Sequence, residues 1–202
     1  RLPATVAVAA VANFPDGSTD IARAVRDTEA IVAAGAQEVD VVMPWHTLDA
    51  APALLAAVRR AGAGLRLKGI LETGELMAHG GDEAIRRAAR IALDAGADFL
   101  KTSTGKARTH ATPPAARLLL EAIAADPPAA ARVGFKSAGG IRTVADAGVY
   151  LALTAEVLGR EAAGPARFRI GASGLLDDIE AVLGSAAPPP IAPTSPTSPP
   201  SY

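Results

Sequence analysis

Cysteine is absent from the 202 residues, which excludes disulfides, zinc–thiolate and iron–sulfur centres, and a thiol nucleophile. Neither sign of charge is in excess: 20 Lys and Arg stand against 21 Asp and Glu, a net charge of -1. That balance offers no electrostatic footprint for a nucleic acid or an anionic membrane surface, so neither is expected as a partner. No apolar run approaches the roughly 18 residues that a membrane-spanning helix requires. The opening Arg1-Leu2-Pro3 carries no initiator Met and no signal-peptide pattern, and a reducing, cytoplasmic setting is the default expectation. Half of the residues are hydrophobic, ample for a packed core, and the length suits one large domain or at most two small ones.

Proline is unevenly placed. Ser185 to Tyr202 reads SAAPPPIAPTSPTSPPSY, with seven of the sixteen prolines and no charged side chain. Proline lacks an N–H and locks φ, so this stretch supports neither a helix nor a central strand. It is expected as an extended, mobile tail after a structured domain spanning residues 1–184.

Within that domain, short β-branched or Leu-rich runs alternate with Ala-rich helical patterns. Expected strands are Thr5–Ala10, Glu38–Val42, Leu65–Leu71, Phe99–Lys101, Val133–Lys136 and Phe168–Gly171. Between them Ile21, Val25, Thr28, Ile31 and Val32 share one helical face, as do Ile85, Ala88, Ala89 and Ala92, and as do Ala147, Leu151, Thr154 and Leu158. Ser18, Asp82 and Thr112 read as helix starts, the last with Pro113 at the first helical position. Such alternation means parallel βα units. The units also repeat in text: Ala34-Gly35-Ala36-Gln37-Glu38-Val39-Asp40 aligns without a gap on Ala95-Gly96-Ala97-Asp98-Phe99-Leu100-Lys101, and Ala61-Gly62-Ala63 is a third copy. Each glycine is expected to end a helix in the left-handed conformation. Strand centres recur about every 32 residues, the size of a βαβ unit. Eight units need roughly 250 residues, and six are counted. The α/β fold is then either an open doubly wound sheet or a TIM (β/α)8 barrel lacking its first two units.

Lysines stand where strands should be buried. Lys101 and Lys136 fall on neighbouring strands, about 4.8 Å apart, and lysine is rarely buried unless paired or functional. Two ammonium groups that close repel, and the relief is for one to lose its proton. A neutral lysine amine attacks carbonyls and forms a Schiff base. Asp40, at the aligned position of its own strand, adds a carboxylate able to move protons and hold a water. The competing reading is a chemically silent Lys101–Asp40 ion pair, which leaves the second lysine unpaired. Gly139-Gly140 and Gly171-Ala172-Ser173-Gly174 follow successive strands and precede helices, opened by Thr143 or Asp146 and at Leu175. Such junctions aim backbone N–H groups at an anion, with Arg142 and Ser173 as side-chain donors.

Phe99-Leu100-Lys101-Thr102-Ser103-Thr104-Gly105, Val133-Gly134-Phe135-Lys136-Ser137-Ala138-Gly139-Gly140-Ile141-Arg142 and Leu71-Glu72-Thr73-Gly74-Glu75-Leu76 resemble the deoxyribose-phosphate aldolases. Glu38-Val39-Asp40-Val41-Val42 and Asn13-Phe14-Pro15-Asp16-Gly17 agree in order and spacing, and the likeness runs from about Ala4 to Gly184. The resemblance implies a class I aldolase on a TIM barrel, needing no metal or other cofactor. Its substrate would be a small phosphosugar, 2-deoxy-D-ribose 5-phosphate, cleaved reversibly to D-glyceraldehyde 3-phosphate and acetaldehyde. Lys101 then matches the Schiff-base lysine, Lys136 the lysine that perturbs it, and Asp40 the carboxylate of the proton relay. Gly139, Gly140, Arg142, Gly171 and Ser173 match phosphate-loop positions, while Thr104 and Lys106 match the loop facing the sugar hydroxyls. The family's barrel carries two more βα units at its N-terminus, so this chain is expected to hold about six of eight. Gly174 stands where some relatives have a second serine.

Other residues stay open. Tyr202 ends a tail that would reach roughly 50 Å in polyproline II form at ~3.1 Å per residue. Its phenol is a candidate proton relay to the imine's methyl carbon, the alternative being a disordered terminus without a role. Lys68 reads equally as a structural partner of Asp40 or as a site residue, and Glu72 and Thr73 as groups that order a loop. His46, His79 and His110 are scattered, and no metal site is expected. The alternatives in function are another Schiff-base aldolase or a transaldolase-like enzyme, which should lack the lysine pair, and an inactive phosphosugar-binding fragment. A homo-oligomer is compatible with all of these.

Overall fold

A computed structural model of the chain describes residues 6–185. The expectations for Arg1-Leu2-Pro3, for the proline-rich segment after Ser185 and for Tyr202 lie outside the described residues. Ser185, assigned above to the tail, is instead the last residue of a helix.

Strands and helices alternate as β1 (Ala9–Ala12), α1 (Ile21–Ala33), β2 (Glu38–Val42), α2 (Ala51–Ala61), β3 (Arg66–Ile70) and α3 (Thr73–Asp94). They continue as β4 (Phe99–Lys101), α4 (Pro113–Ala124), α5 (Pro127–Arg132), β5 (Gly134–Ala138), α6 (Val144–Leu158), β6 (Phe168–Gly171) and α7 (Leu175–Ser185). All neighbouring strands are parallel, and the sheet order is β1-β2-β3-β4-β5-β6. A doubly wound sheet reverses its order at a switch point. Here each strand lies beside its successor, as in a TIM barrel, and the six curl into a half-barrel with β1 and β6 at the edges.

Strands β2, β4 and β6 have the expected limits. β1 does not: Thr5–Ala10 was expected, and pairing begins only at Ala9, opposite Glu38. The carbonyl of Val8 already receives the N–H groups of Gln37 and Glu38, so the partner strand rather than the local apolar run sets where β1 starts. One helix start is also corrected. α1 is capped by Asp20, which accepts from the Arg23 N–H at 2.9 Å, while Ser18 donates its hydroxyl to Asn13 Oδ1. α3 begins at Thr73, but it is two helical segments that meet at non-helical Gly81 (φ 62°, ψ -155°), and the second starts at Asp82 as expected. Thr112 caps α4 ahead of Pro113, and Thr143 and Asp146 together form a capping box on α6. Gly35 and Gly96 are left-handed as expected, but Gly62 (φ -107°) is not, and its N–H closes α2 on the Val58 carbonyl instead.

Apolar side chains on the outward strand faces (Val39, Val41, Leu67, Leu100, Phe135) are buried in one cluster with Leu54, Leu55, Val58, Ile85, Ala88, Leu119 and Leu120 of the helices. That burial, at ~25 cal/mol per Å² of apolar surface, holds the shell together. It leaves the inward faces free of any packing duty to the helices. No helix among the described residues is long and apolar enough to cross a membrane.

Candidate active site

Period-two alternation sends Glu38 and Asp40 of β2 to the inner side of the curl, with Val39 and Val41 outward. Lys68 of β3, Lys101 of β4 and Lys136 of β5 join them. The repeat in the sequence sets Asp40 and Lys101 at one strand position, but the register does not. Asp40 lies opposite Lys68, Lys68 opposite Phe99, and Lys101 opposite Lys136. Strand tilt returns the side chains to one point. Asp40 Oδ2 accepts from Lys101 Nζ at 2.8 Å and from Lys136 Nζ at 2.7 Å, and Oδ1 accepts from Lys68 Nζ at 2.6 Å. The second lysine is therefore not unpaired, contrary to the argument from sequence; both share one carboxylate oxygen. Lys68 also reaches Glu38 Oε2 at 2.6 Å, and Arg66 and Arg169 approach Glu38 Oε1 at 3.5 and 3.6 Å. An ionic column thus runs up the inside of the curl toward the C-terminal ends of the strands.

Cations outnumber carboxylates along that column, with electrostatic consequences. Burial alone would raise the Asp40 carboxyl, but the Lys101, Lys136 and Lys68 ammoniums outweigh it and hold Asp40 well below the usual carboxylate range. Burial pushes the Lys101 ammonium below the ordinary lysine value; Asp40 opposes this, and the charges of Lys136 and Lys68 reinforce it. The direction agrees with the sequence argument and the leading cause does not: desolvation comes first, and the lysine pair second.

Above Lys101 opens a cavity of about 590 Å³. Thr104, Lys106, Gly139, Gly140, Arg142, Gly171 and Ser173 all line it with Lys101, while Asp40 lies beneath it, reached through the lysine. Gly105, at φ 78°, turns the chain between Thr104 and Lys106. Gly139 and Gly140 are both left-handed (φ 85° and 79°), and a Cβ on Gly139 would come within 2.9 Å of His110 Cβ. Only glycine fits both conditions at Gly139.

The anion-facing amides are not quite those expected. At the start of α6 the N–H groups of Arg142 and Thr143 donate to Asp146 Oδ2, and that of Val144 to Asp178 Oδ2 at 2.7 Å. Those donors are taken. The N–H groups of Gly140, Ile141, Ser173 and Gly174 have no partner among the described residues and rim the cavity with the Arg142 side chain. Gly140→Ala is expected to cost ~1 kcal/mol through its left-handed φ and to raise KM for a phosphorylated substrate more than for its unphosphorylated counterpart. Steady-state kinetics on the two substrates check this; equal losses would point to a folding defect.

One group was undervalued in the sequence, and a second has the role expected of it. His110, set aside as one of three scattered histidines, lines the cavity and buries Nδ1 without a partner. Glu72, expected to order a loop, is 2% exposed and does so by holding Thr104 through Oε2. No local pattern marks His110, which reaches the site from a loop. Among the described residues no group of three or more His, Cys, Asp or Glu side chains could hold a metal ion.

The chain as a whole is similar to known proteins. The family model for DeoC/LacD family aldolases matches residues 2–176, a span that includes all of the described strands. Deoxyribose-phosphate aldolase of Agrobacterium fabrum is 47% identical over 191 residues, covering 91% of this chain and 71% of the relative. Among solved structures, one assigned as a deoxyribose-phosphate aldolase of Toxoplasma gondii ME49 superposes with a TM-score of 0.79 at 26% identity, over 89% of this chain and 72% of that one. The tetrameric deoxyribose phosphate aldolase of Aeropyrum pernix gives 0.70 at 26% identity, over 90% and 70%. With sequence and fold agreeing along nearly its whole described length, the chain belongs to the DeoC/LacD aldolase family and is an aldolase, a lyase.

Proposed function

We propose that the chain cleaves 2-deoxy-D-ribose 5-phosphate reversibly to D-glyceraldehyde 3-phosphate and acetaldehyde through a Schiff base on Lys101. The observation that carries this reading is a buried lysine, its charge disfavoured by desolvation and a neighbouring cation, facing a cavity rimmed by unpaired amides. In the neutral form Lys101 Nζ attacks the substrate aldehyde carbon, and loss of water leaves the imine. The imine draws electrons from the C2–C3 bond as the C3 hydroxyl gives up its proton, releasing glyceraldehyde 3-phosphate. The enamine that remains takes a proton on its terminal carbon, and hydrolysis returns the lysine and acetaldehyde. Asp40 and Lys136, 2.7 Å apart, are the pair that moves these protons. Gly140, Ile141, Arg142, Ser173 and Gly174 hold the phosphate. The setting is cytoplasmic and the assembly a homo-oligomer, as the tetramer of the Aeropyrum pernix relative suggests. Reduction with borohydride in the presence of acetaldehyde tests the proposal, and an N-ethyl adduct mapping to Lys101 is expected. An adduct elsewhere, or none, overturns it.

Lys136→Met removes one of the charges that lower Lys101 and leaves Asp40 to Lys101 and Lys68. Both changes favour the Lys101 ammonium, so the acid limb of the kcat/KM profile should move to higher pH. An unmoved limb in the pH–rate profile would remove Lys136 as the perturbing charge.

A further inference from the structure

The turn between β3 and α3 is built more tightly against the substrate loop than a connector needs to be. Glu72 is a non-glycine residue held left-handed (φ 55°), a conformation that persists only where its surroundings impose it. Its Oε2 accepts from Thr104 Oγ1 at 2.6 Å and from the Thr104 N–H at 3.2 Å. The Thr73 N–H donates to the Thr102 carbonyl at 2.9 Å. A Cβ on Gly74 would come within 2.5 Å of the Thr109 carbonyl oxygen. The loop that carries Thr104 and Lys106 past the cavity is thus seated on the Glu72-Thr73-Gly74 turn at several points.

The hydrogen-bond directions have a chemical consequence. A backbone N–H can only donate, so Glu72 Oε2 is an acceptor toward Thr104. The hydroxyl proton of Thr104 then also points at Oε2. Thr104 Oγ1 in turn accepts from the Lys106 N–H at 3.0 Å. A hydroxyl has one proton and two lone pairs, so what remains on the cavity side is a single lone pair. Burial raises the Glu72 carboxyl above its ordinary range, and its Oε1 has no partner. A proton taken up there would sit on Oε1 and leave the acceptor role of Oε2 unchanged.

We propose that Glu72 is a positioning residue that commits the Thr104 hydroxyl to act only as an acceptor, so that the site selects aldehydes bearing a hydroxyl donor over those lacking one. Half-buried Thr104 lines the cavity together with buried Lys101 and exposed Arg142 and Ser173. On this proposal its lone pair meets the carbons between the reacting carbonyl and the phosphate. A carbonyl or ether oxygen at that point finds no donor, and a methylene leaves the lone pair bare in a partly desolvated wall. The inference rests on the aldolase reading of the site given above.

The test compares glycolaldehyde with propanal as acceptors for acetaldehyde, an acceptor pair differing in the hydroxyl next to the carbonyl. The wild type should prefer glycolaldehyde, and Glu72→Ala should reduce that preference about tenfold while borohydride trapping on Lys101 continues. Glu72→Gln should restore it, because the amide oxygen must face the Thr104 N–H and accepts both bonds. Thr104→Val, which leaves the turn intact, should lose the preference as Glu72→Ala does, and the double variant should lose no more than either. A preference retained in Thr104→Val, or equal losses on both acceptors in Glu72→Ala, overturns the proposal; these outcomes stand even if one of the variants folds poorly, because each is read on a separate protein. Absence of trapping in the wild type would instead overturn the aldolase reading itself, and this inference with it.

Discussion

Lys101→Met should show no adduct on borohydride reduction with acetaldehyde and no aldolase turnover above background. The imine needs a neutral amine at the floor of the cavity, and the substitution removes it while methionine fills the methylene volume. Lys136, which shares Asp40 Oδ2 with Lys101, is the neighbouring amine on the next strand. In the wild type Lys136 and Lys101 compete for Asp40 Oδ2. Without Lys101, Lys136 has that oxygen to itself and stays tied to Asp40 rather than freed toward the cavity. The circular-dichroism spectrum should stay unchanged. Mass mapping of the reduced protein decides the matter, since an active variant with an adduct on Lys136 would contradict the assignment.

Asp40→Asn should be the most damaging change to the fold. Asp40 is 2% exposed and is the common partner of Lys68, Lys101 and Lys136. Breaking a buried ionic cluster by removing one partner costs ~3–5 kcal/mol, which for a domain of this size lowers Tm by about 10 °C. The pH dependence follows from the sign of the shift. The folded carboxyl lies below its unfolded value of ~3.9, so its contribution is present above pH ~4 and is lost as pH falls toward the folded value. The gap in Tm between wild type and Asp40→Asn should therefore be full at pH 7 and shrink below pH ~4; a gap that stays constant across that range would show Asp40 to be uninvolved. The pH dependence of trapping adds a second check. Asp40 raises Lys101, so its loss should move the acid limb to lower pH, opposite to the effect of Lys136→Met.

Much of the candidate site was legible because its parts are local. Lys101 and Lys136 stand out as charges inside short apolar runs, and Gly139, Gly140 and Gly171 as breaks between a strand and a helix. Those positions line one cavity or lie directly beneath it. Glu72 was legible only as a group that orders a loop. A glutamate at a strand's end is ordinary in text, and its left-handed backbone is imposed by contacts with a loop 32 residues further along the chain. His110 was passed over for a related reason: a metal-ligand search asks for a second histidine nearby, whereas its place is against the backbone of Gly139.

The sequence by itself determined the alternation of strand and helix, the limits of β2, β4 and β6, the capping of α4 and α6, and the residue types available for imine chemistry. These depend on side-chain periodicity, proline and glycine backbone limits and short-range hydrogen bonds, all expressed within a few residues. Tertiary structure alone decided that Lys68, Lys101 and Lys136, at 28, 61 and 96 residues from Asp40, meet on one carboxylate. It also decided that desolvation leads the depression of Lys101, and that carboxylates already occupy the first amides of α6. The physical reason is that strand tilt and register set which inward side chains meet. Burial and charge balance at that point then follow from every strand of the curl together, and no single segment carries that information.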